Sequence, residues 1–118
     1  MIVRYDDQPR FTKAAMGGKG ALLRRNILTQ ELVGGRASMI TAITLQPGET
    51  IGVHAHTDSG EMYYVMDGTL TIFEDGIAHR MEVGDVEFCA DGHTHGAENR
   101  SSMPATILAV VIPDRREP

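Results

Sequence analysis

Four of the five histidines in this 118-residue sequence form two His-x-His pairs, His54/His56 and His93/His95. Residues i and i+2 of a β-strand point to the same face, so both imidazoles of such a pair can reach one point. Glu61 follows the first pair after a short turn-forming stretch, which places a carboxylate near these imidazoles. Three neutral imidazoles and one carboxylate suit a first-row divalent metal ion. Spacing alone leaves two interpretations open: a metal site of His54, His56, Glu61 and His95, or histidines on solvated strand faces.

Two further side chains are candidates for chemistry beside such a site. His93 shares the parity of His95, about 7 Å along the strand at a rise of ~3.3 Å per residue, so we expect it to face the interior. That distance is too long for both to bind one ion and short enough for His93 to act as a general acid or base. The alternative is a hydrogen-bonded histidine on the pocket rim. Tyr63 shares the inward parity of Glu61, and is a candidate proton donor or a core tyrosine.

The remaining chemically active residues are expected to be structural. His79 adjoins Arg80 on a predicted hairpin strand and should be exposed to solvent. Cys89 is the only cysteine, which excludes an intrachain disulfide, and a free cysteine is usually buried and inert. Arg24 and Arg25 lie on a predicted strand, but alternation does not show which of the two faces inward.

The elements that would position these residues are short strands separated by turn signals such as Pro47-Gly48, Asp67-Gly68 and Asp75-Gly76. Strands of this length with no helical periodicity between them predict an all-β barrel or sandwich. Asp75-Gly76 favours a tight hairpin, because both positions tolerate a positive φ. The predicted strands are Leu22–Leu28, Ser38–Leu45, Glu61–Met66, Thr69–Glu74, Ile77–Val83, Val86–Cys89 and Thr106–Ile112, the last of them apolar throughout and expected to be buried on both faces.

The two ends of the chain carry weaker signals. Gly17-Gly18-Lys19-Gly20 predicts a flexible loop, since a phosphate-binding motif would need further residues and a following helix. The charged tail Asp114 to Pro118 is expected to fray.

Composition restricts the partners of the chain. Eleven basic and sixteen acidic residues give a formal charge of −5, which argues against nucleic-acid or anionic-membrane partners. No apolar stretch approaches the ~20 residues of a membrane span, and Met1 to Asp7 does not resemble a signal peptide. We therefore expect a cytoplasmic protein, and its length suits one domain.

The spacing of these residues resembles both motifs of the cupin family. The first motif is matched by Gly48, His54-Ala55-His56, Glu61 and Gly68. The second motif is matched by Gly84, Gly92, His95 and Asn99, with Ala90 in place of the usual proline. That proline shapes a turn and binds nothing, and Asn99 is expected to fix a turn through its side-chain amide.

The resemblance implies an all-β, double-stranded β-helix or jelly-roll barrel. The implied domain covers residues 1–118, with motif one at 48–68, motif two at 84–99 and an N-terminal extension at 1–20. It also implies one divalent transition metal ion (Mn, Fe, Ni, Cu or Zn, which the ligand set does not distinguish) and a homodimer.

Two functions are compatible with this resemblance. The first is a metalloenzyme acting on a small polar organic molecule through isomerase, lyase, decarboxylase or dioxygenase chemistry, with His93 and Tyr63 as candidate catalytic residues. The alternative is a non-catalytic protein that binds a sugar or carboxylate through the metal. The fold does not decide between them.

Overall fold

The computed structural model describes residues 1–114, so residues 115–118 of the charged tail lie outside the described part of the chain. A short 3-10 turn at Tyr5–Asp7 precedes ten β-strands. They are β1 (Arg10–Lys13), β2 (Leu22–Leu28), β3 (Met39–Leu45), β4 (Thr50–Ala55), β5 (Ser59–Asp67), β6 (Leu70–Glu74), β7 (Ile77–Met81), β8 (Val86–Cys89), β9 (Thr94–Glu98) and β10 (Ala105–Pro113).

These strands form two antiparallel sheets. The larger sheet has the order β1-β2-β3-β10-β5-β8, and the smaller has the order β4-β9-β6-β7. The core between them combines apolar side chains from both sheets, among them Leu22, Ile43 and Ile107 of the larger and Ile51 and Ile72 of the smaller. This is the predicted all-β jelly-roll architecture, in which alternate residues of each strand face the opposite sheet.

The predicted strands are present with small shifts of their ends, and one prediction about burial is wrong. The segment Thr106–Ile112 lies within β10, but it is not buried on both faces. Ile107 and Ala109 face the core and are fully buried, whereas Leu108 and Val110 lie on the opposite face and are partly exposed. The apolar run reflects a central strand whose second face is also apolar, not one covered on both sides.

The predicted turns adopt the geometry that their residues favour. Asp75 has φ 49° and Gly76 has φ 82°, and they join β6 to β7 as a tight hairpin, as expected. Asn99 fixes the turn after β9: its side-chain amide donates to the carbonyls of Leu45 (2.9 Å) and Met103 (2.8 Å). His93 N–H donates to Ala90 O at 3.1 Å, so the second-motif turn closes without the usual proline.

The N-terminal extension contributes β1 and a loop that lies against β4. Gly17–Gly20 is a loop, as predicted, and it is fastened by hydrogen bonds from Thr50 N–H to Lys19 O (2.9 Å) and from Lys19 N–H to Thr50 Oγ1 (2.7 Å). The backbones approach closely, because a Cβ on Gly52 would lie 1.9 Å from Met16 O. The close approach of this loop brings Ala15 and Met16 to one wall of the central cavity.

No helix in residues 1–114 is long and apolar enough to cross a membrane.

Candidate metal centre

The predicted ligands come from three strands that meet at one end of the core. His54 of β4 lies directly opposite His95 of β9 in the antiparallel register, so their side chains project together. His56 follows one residue after the end of β4, and its carbonyl accepts a hydrogen bond from Gly92 N–H at 2.9 Å. Glu61 of β5 reaches the same point from the facing sheet. The structure therefore brings together the four residues that the sequence predicts.

The donor atoms of these residues converge closely. Glu61 Oε1 lies 3.2 Å from His54 Nε2, 3.0 Å from His56 Nε2 and 2.9 Å from His95 Nε2. His95 Nε2 is also 3.1 Å from His54 Nε2 and 3.2 Å from His56 Nε2. All four donor atoms lie within 4.8 Å of one another. The cluster can hold a metal ion, since imidazole nitrogens and carboxylate oxygens are ligands of divalent transition metals.

The outer nitrogens of the three imidazoles set their orientation. His54 Nδ1 donates to Gly52 O at 2.7 Å, and His95 Nδ1 donates to Glu87 Oε1 at 2.8 Å. His56 Nδ1 has a longer contact of 3.4 Å with Ser59 Oγ. If a metal ion replaced the proton on Nε2, a proton held on Nδ1 would keep each Nε2 lone pair directed at that ion. The surrounding chain therefore prepares these histidines to act as ligands.

The cluster shifts the pKa of its members in opposite directions. Burial raises the pKa of Glu61, but hydrogen bonds from His54 and His95 outweigh it and lower the pKa to about 2. Burial lowers the pKa of His95, but hydrogen bonds to Glu61 and Glu87 outweigh it and raise the pKa to about 9. Without an ion, an ionised carboxylate and a protonated imidazole therefore stabilise each other.

Glu87 is a buried participant that the sequence interpretation missed. It lies on β8, its side chain is 7% exposed, and Oε1 accepts the hydrogen bond from His95 Nδ1. Within residues 1–114 its Oε2 has no hydrogen-bond partner. The available signal was strand parity, because Glu87 is two residues before Cys89, which was predicted to be buried.

Tyr63 faces the interior, as its parity predicts. It is 1% exposed, and its ring stacks on the His95 ring with centroids 4.3 Å apart and planes 7° apart. Burial, reinforced by the charge of Glu61, raises its pKa well above the ordinary value. Tyr63 therefore keeps its phenolic proton at neutral pH.

The prediction that His93 faces the interior is wrong. Its side chain is 57% exposed and lies 2.7 Å from Asp75 Oδ2 through Nδ1. His93 precedes the first residue of β9, so the alternation that orients His95 does not extend to it. Asp75 Oδ1 also accepts a bond from Thr94 N–H at 3.0 Å, which holds the carboxylate beside His93. The structure places His93 outside the cluster of His54, His56, Glu61 and His95, next to the hairpin that joins β6 to β7.

Two residues expected to be structural are placed as predicted. His79 is exposed on β7. Cys89 is fully buried, and burial, assisted by the charge of Glu87, raises its pKa to about 11. The thiol of Cys89 is therefore protonated at neutral pH and poorly nucleophilic.

A cavity of about 100 Å³ adjoins the cluster. It is smaller than the roughly 300–1,000 Å³ of sites that take drug-sized ligands. Its polar lining comes from Arg24, Tyr63 and the ligands His54, His56 and Glu61. The apolar lining consists of Ala15, Met16, Met39, Ile43, Ile51 and Val111. The cavity therefore has room for a small molecule only.

The fold and the ligand cluster define the class of protein. The sequence model described as Cupin domain matches residues 41–111, and the chain belongs to the cupin family. An oxalate-binding protein of Thermotoga maritima is 30% identical over 113 residues, which cover 95% of this chain and 93% of that protein. The tetracenomycin polyketide synthase protein TcmJ of Streptomyces glaucescens is 32% identical over 89 residues, covering 75% of this chain and 60% of that protein.

Solved structures share the same architecture. A crystal structure described as a predicted oxalate decarboxylase from Thermotoga maritima has a TM-score of 0.90 and 29% identity, covering 96% of this chain and 99% of that chain. KdgF from a Halomonas species has a TM-score of 0.67 and 18% identity, covering 80% of this chain and 82% of that chain. The similarity to KdgF shows a shared fold and nothing more.

Proposed function

We propose that this cupin holds one divalent transition metal ion on His54, His56, Glu61 and His95 and binds a small carboxylate there. The observation that carries the proposal is the separation of the donor atoms, since five of their six pairs are 2.9–3.2 Å apart. Neighbouring ligands of a six-coordinate ion with metal–ligand distances of about 2.1 Å are about 3.0 Å apart. Mn, Fe, Ni, Cu and Zn all accept these ligands.

The same distances between donor atoms also indicate what kind of molecule the ion would bind. When five of the six pairs among four donors are neighbours, the two remaining positions of a six-coordinate ion adjoin each other. Two adjoining positions suit a bidentate oxygen ligand. A small carboxylate with a second oxygen group fits this requirement and the cavity of about 100 Å³. The relative in Thermotoga maritima, named an oxalate-binding protein, supports a ligand of this class.

The experiment is a two-step titration of the metal-free full-length protein. Isothermal titration calorimetry should show one equivalent of Mn²⁺, Ni²⁺ or Zn²⁺ binding, after which oxalate should bind only to the loaded protein. His56→Gln removes one ligand and should abolish both binding steps. The control is His79→Gln, on the exposed hairpin, which should alter neither step. Oxalate binding of equal affinity without metal would contradict the proposal.

Turnover of the bound carboxylate is the second candidate, and Tyr63 is the observation that favours it. A bound divalent ion would supply Lewis acidity to the ligand oxygens. Loss of carbon dioxide from a carboxylate leaves a carbon that takes up a proton, and the protonated phenol of Tyr63 lines the cavity. If the chain is an enzyme, metal-loaded protein releases carbon dioxide from oxalate and Tyr63→Phe slows the release while keeping the metal. Unchanged oxalate after prolonged incubation would leave binding as the function.

His93 remains part of this second candidate as a predicted catalytic residue. Its position beside Asp75, outside the residues that line the cavity, favours a structural role instead. Equal turnover by His93→Gln and the unmodified protein would remove it from the mechanism.

We also propose a homodimer formed by a second copy of this chain. Apolar side chains lie next to one another on the outward face of the larger sheet, with Met62 opposite both Phe88 and Val110, and Tyr64 opposite Val86. Phe88 is 51% exposed and Val86 is 55% exposed. A two-fold axis would place this face against the same face of the second copy and so cover it. Light scattering should give twice the 12.9 kDa chain mass, and a monomer at micromolar concentration would contradict the proposal.

The cytoplasmic location and the assignment of residues 1–118 to one domain stay predictions. Cell fractionation and limited proteolysis of the purified chain test them.

A further inference from the structure

Arg24 and Arg25 are neighbours on β2 with opposite surroundings. Arg24 lies opposite Ile43 of β3 in the register, and both line the cavity beside the cluster of candidate metal ligands. Arg25 faces away from the core, where its guanidinium contacts Gln8 Oε1 and lies 4.9 Å from the centre of the Tyr5 ring. The structure thereby decides which arginine faces inward.

The guanidinium of Arg24 is only partly satisfied by the chain. Nη2 donates to Ala14 O at 2.9 Å. Nε is buried and has no hydrogen-bond partner within residues 1–114. A buried donor of a charged group without an acceptor costs free energy, so the chain leaves the Arg24 guanidinium short of acceptors.

The described cavity wall offers Arg24 no carboxylate that is not already engaged. Glu61 is the carboxylate lining the cavity, and its Oε1 is held by His54, His56 and His95. Most of the remaining lining is apolar. An unpaired cation beside an apolar cavity is stabilised by an anion that enters the cavity.

We propose that Arg24 is a specificity-determining residue whose guanidinium, at the wall of the same cavity, binds a carboxylate oxygen of the metal-held ligand. This inference rests on the proposed function and deepens it, because it requires the ligand to carry a carboxylate and not merely two metal-binding oxygens. A guanidinium that lines the same cavity as the metal ligands selects small dicarboxylates or keto acids over chelators that lack a carboxylate. Guanidinium suits this role because its planar donors match the geometry of a carboxylate.

The test compares two ligands on metal-loaded protein by calorimetry. Oxalate carries carboxylates, whereas acetohydroxamic acid is a bidentate oxygen ligand without one. Arg24→Gln should weaken oxalate binding at least about tenfold, the effect of losing a charge-assisted hydrogen bond, and acetohydroxamic acid binding less than about twofold. Arg24→Lys, which keeps the charge and loses Nε, should fall between these values. Arg25→Gln is the matched control and should change neither affinity.

The metal content of each variant separates this inference from the proposed function. Arg24→Gln with a full equivalent of metal and unchanged oxalate affinity overturns the role of Arg24 alone. An equal loss for both ligands, or a loss of oxalate affinity in Arg25→Gln as large as in Arg24→Gln, also overturns it. An unmodified protein that takes up no metal, or binds neither ligand when loaded, overturns the proposed function as well.

Discussion

The two His-x-His pairs have the same spacing, but their side chains lie in different surroundings. In the first pair, the Nε2 atoms of His54 and His56 both contact Glu61 Oε1, at 3.2 Å and 3.0 Å. In the second pair, the His95 side chain is fully buried at the cluster, whereas the His93 side chain is 57% exposed. An identical sequence pattern therefore brings two imidazoles into the cluster in one place and only one in the other.

The difference lies in what holds the residue just outside the strand. His56 lies beyond the end of β4, and both its N–H, to His93 O, and its carbonyl, from Gly92 N–H, make backbone hydrogen bonds to the facing segment. His93 belongs to a turn closed by its own N–H and Ala90 O, and its imidazole meets Asp75 of the neighbouring hairpin. Parity predicts the side-chain direction within a strand, but it does not apply at His93, where the N–H bonds inside a turn.

The largest expected difference between His95 and His93 concerns the gain in the free energy of unfolding that bound metal provides. At free metal about 1,000-fold above its Kd, the ion should add about 4 kcal/mol to the free energy of unfolding. His95→Gln should abolish this gain and His93→Gln should retain it, because only His95 contacts the cluster. Urea unfolding with and without metal measures both. Equal losses in the two variants would make His93 a ligand.

The next effect concerns the carboxylate that distinguishes His95 from His93. Glu87 is buried beside His95, and Asp75 is its exposed counterpart beside His93. Glu87→Gln removes the charge that supports His95, so metal affinity should fall about 10–100-fold. Glu98→Gln, on the same strand as His95 and paired with Arg100, is the control. An affinity within about twofold of the unmodified protein would show that Glu87 does not support the ligand.

The ion pair of His95 and Glu61 should make the stability of the metal-free protein depend on pH. The pKa of His95 is raised from 6.5 to about 9, so its contribution to stability is present below pH 6.5 and is lost as pH rises through about 9. The pKa of Glu61 is lowered from 4.5 to about 2, so its contribution is present above pH 4.5 and is lost as pH falls towards 2.

Thermal unfolding with a chelator, measured from pH 5 to pH 9.5, tests this linkage. The Tm of the unmodified protein should fall by several degrees, a shift on the order of 5 °C, between pH 6.5 and pH 9. His95→Gln should lack that part of the fall. A Tm that rises over this interval would contradict the assigned direction of the His95 pKa.

The smallest expected effect belongs to the exposed pair of His93 and Asp75. The hydrogen bond to Asp75 raises the pKa of His93, so the pair contributes stability at low pH and loses it as pH rises through the raised pKa. Because both side chains are exposed, salt should screen the contribution. His93→Gln should therefore lower the Tm slightly at pH 5 in low salt and leave it unchanged at pH 8. A larger loss at pH 8 than at pH 5 would be inconsistent with this pairing.

The sequence predicted the architecture well because local signals and strand parity agree at most positions. Strand β8 and the hairpin at Asp75-Gly76 are where the pattern placed them, and Glu61 and Tyr63 point inward as parity requires. The motif spacing predicted the four residues whose donor atoms converge in the structure.

The side-chain positions that the sequence did not predict depend on contacts between segments that are distant in the chain. His93 is turned outward by Asp75, eighteen residues earlier in the chain. The inward orientation of Arg24 follows from register with β3, which the alternation of β2 alone did not specify. Burial of Glu87 was hidden because an acidic residue on a short strand is usually exposed.

The most direct test of the comparison is the metal content of three proteins after reconstitution and removal of excess ion. Elemental analysis of untagged protein should give about one equivalent of divalent transition metal per chain for the unmodified protein and for His93→Gln. For His95→Gln it should give less than about a tenth of an equivalent, because one of the four converging donors is lost. Less than about a tenth of an equivalent in the unmodified protein, or the loss of metal from His93→Gln as well, would contradict the account.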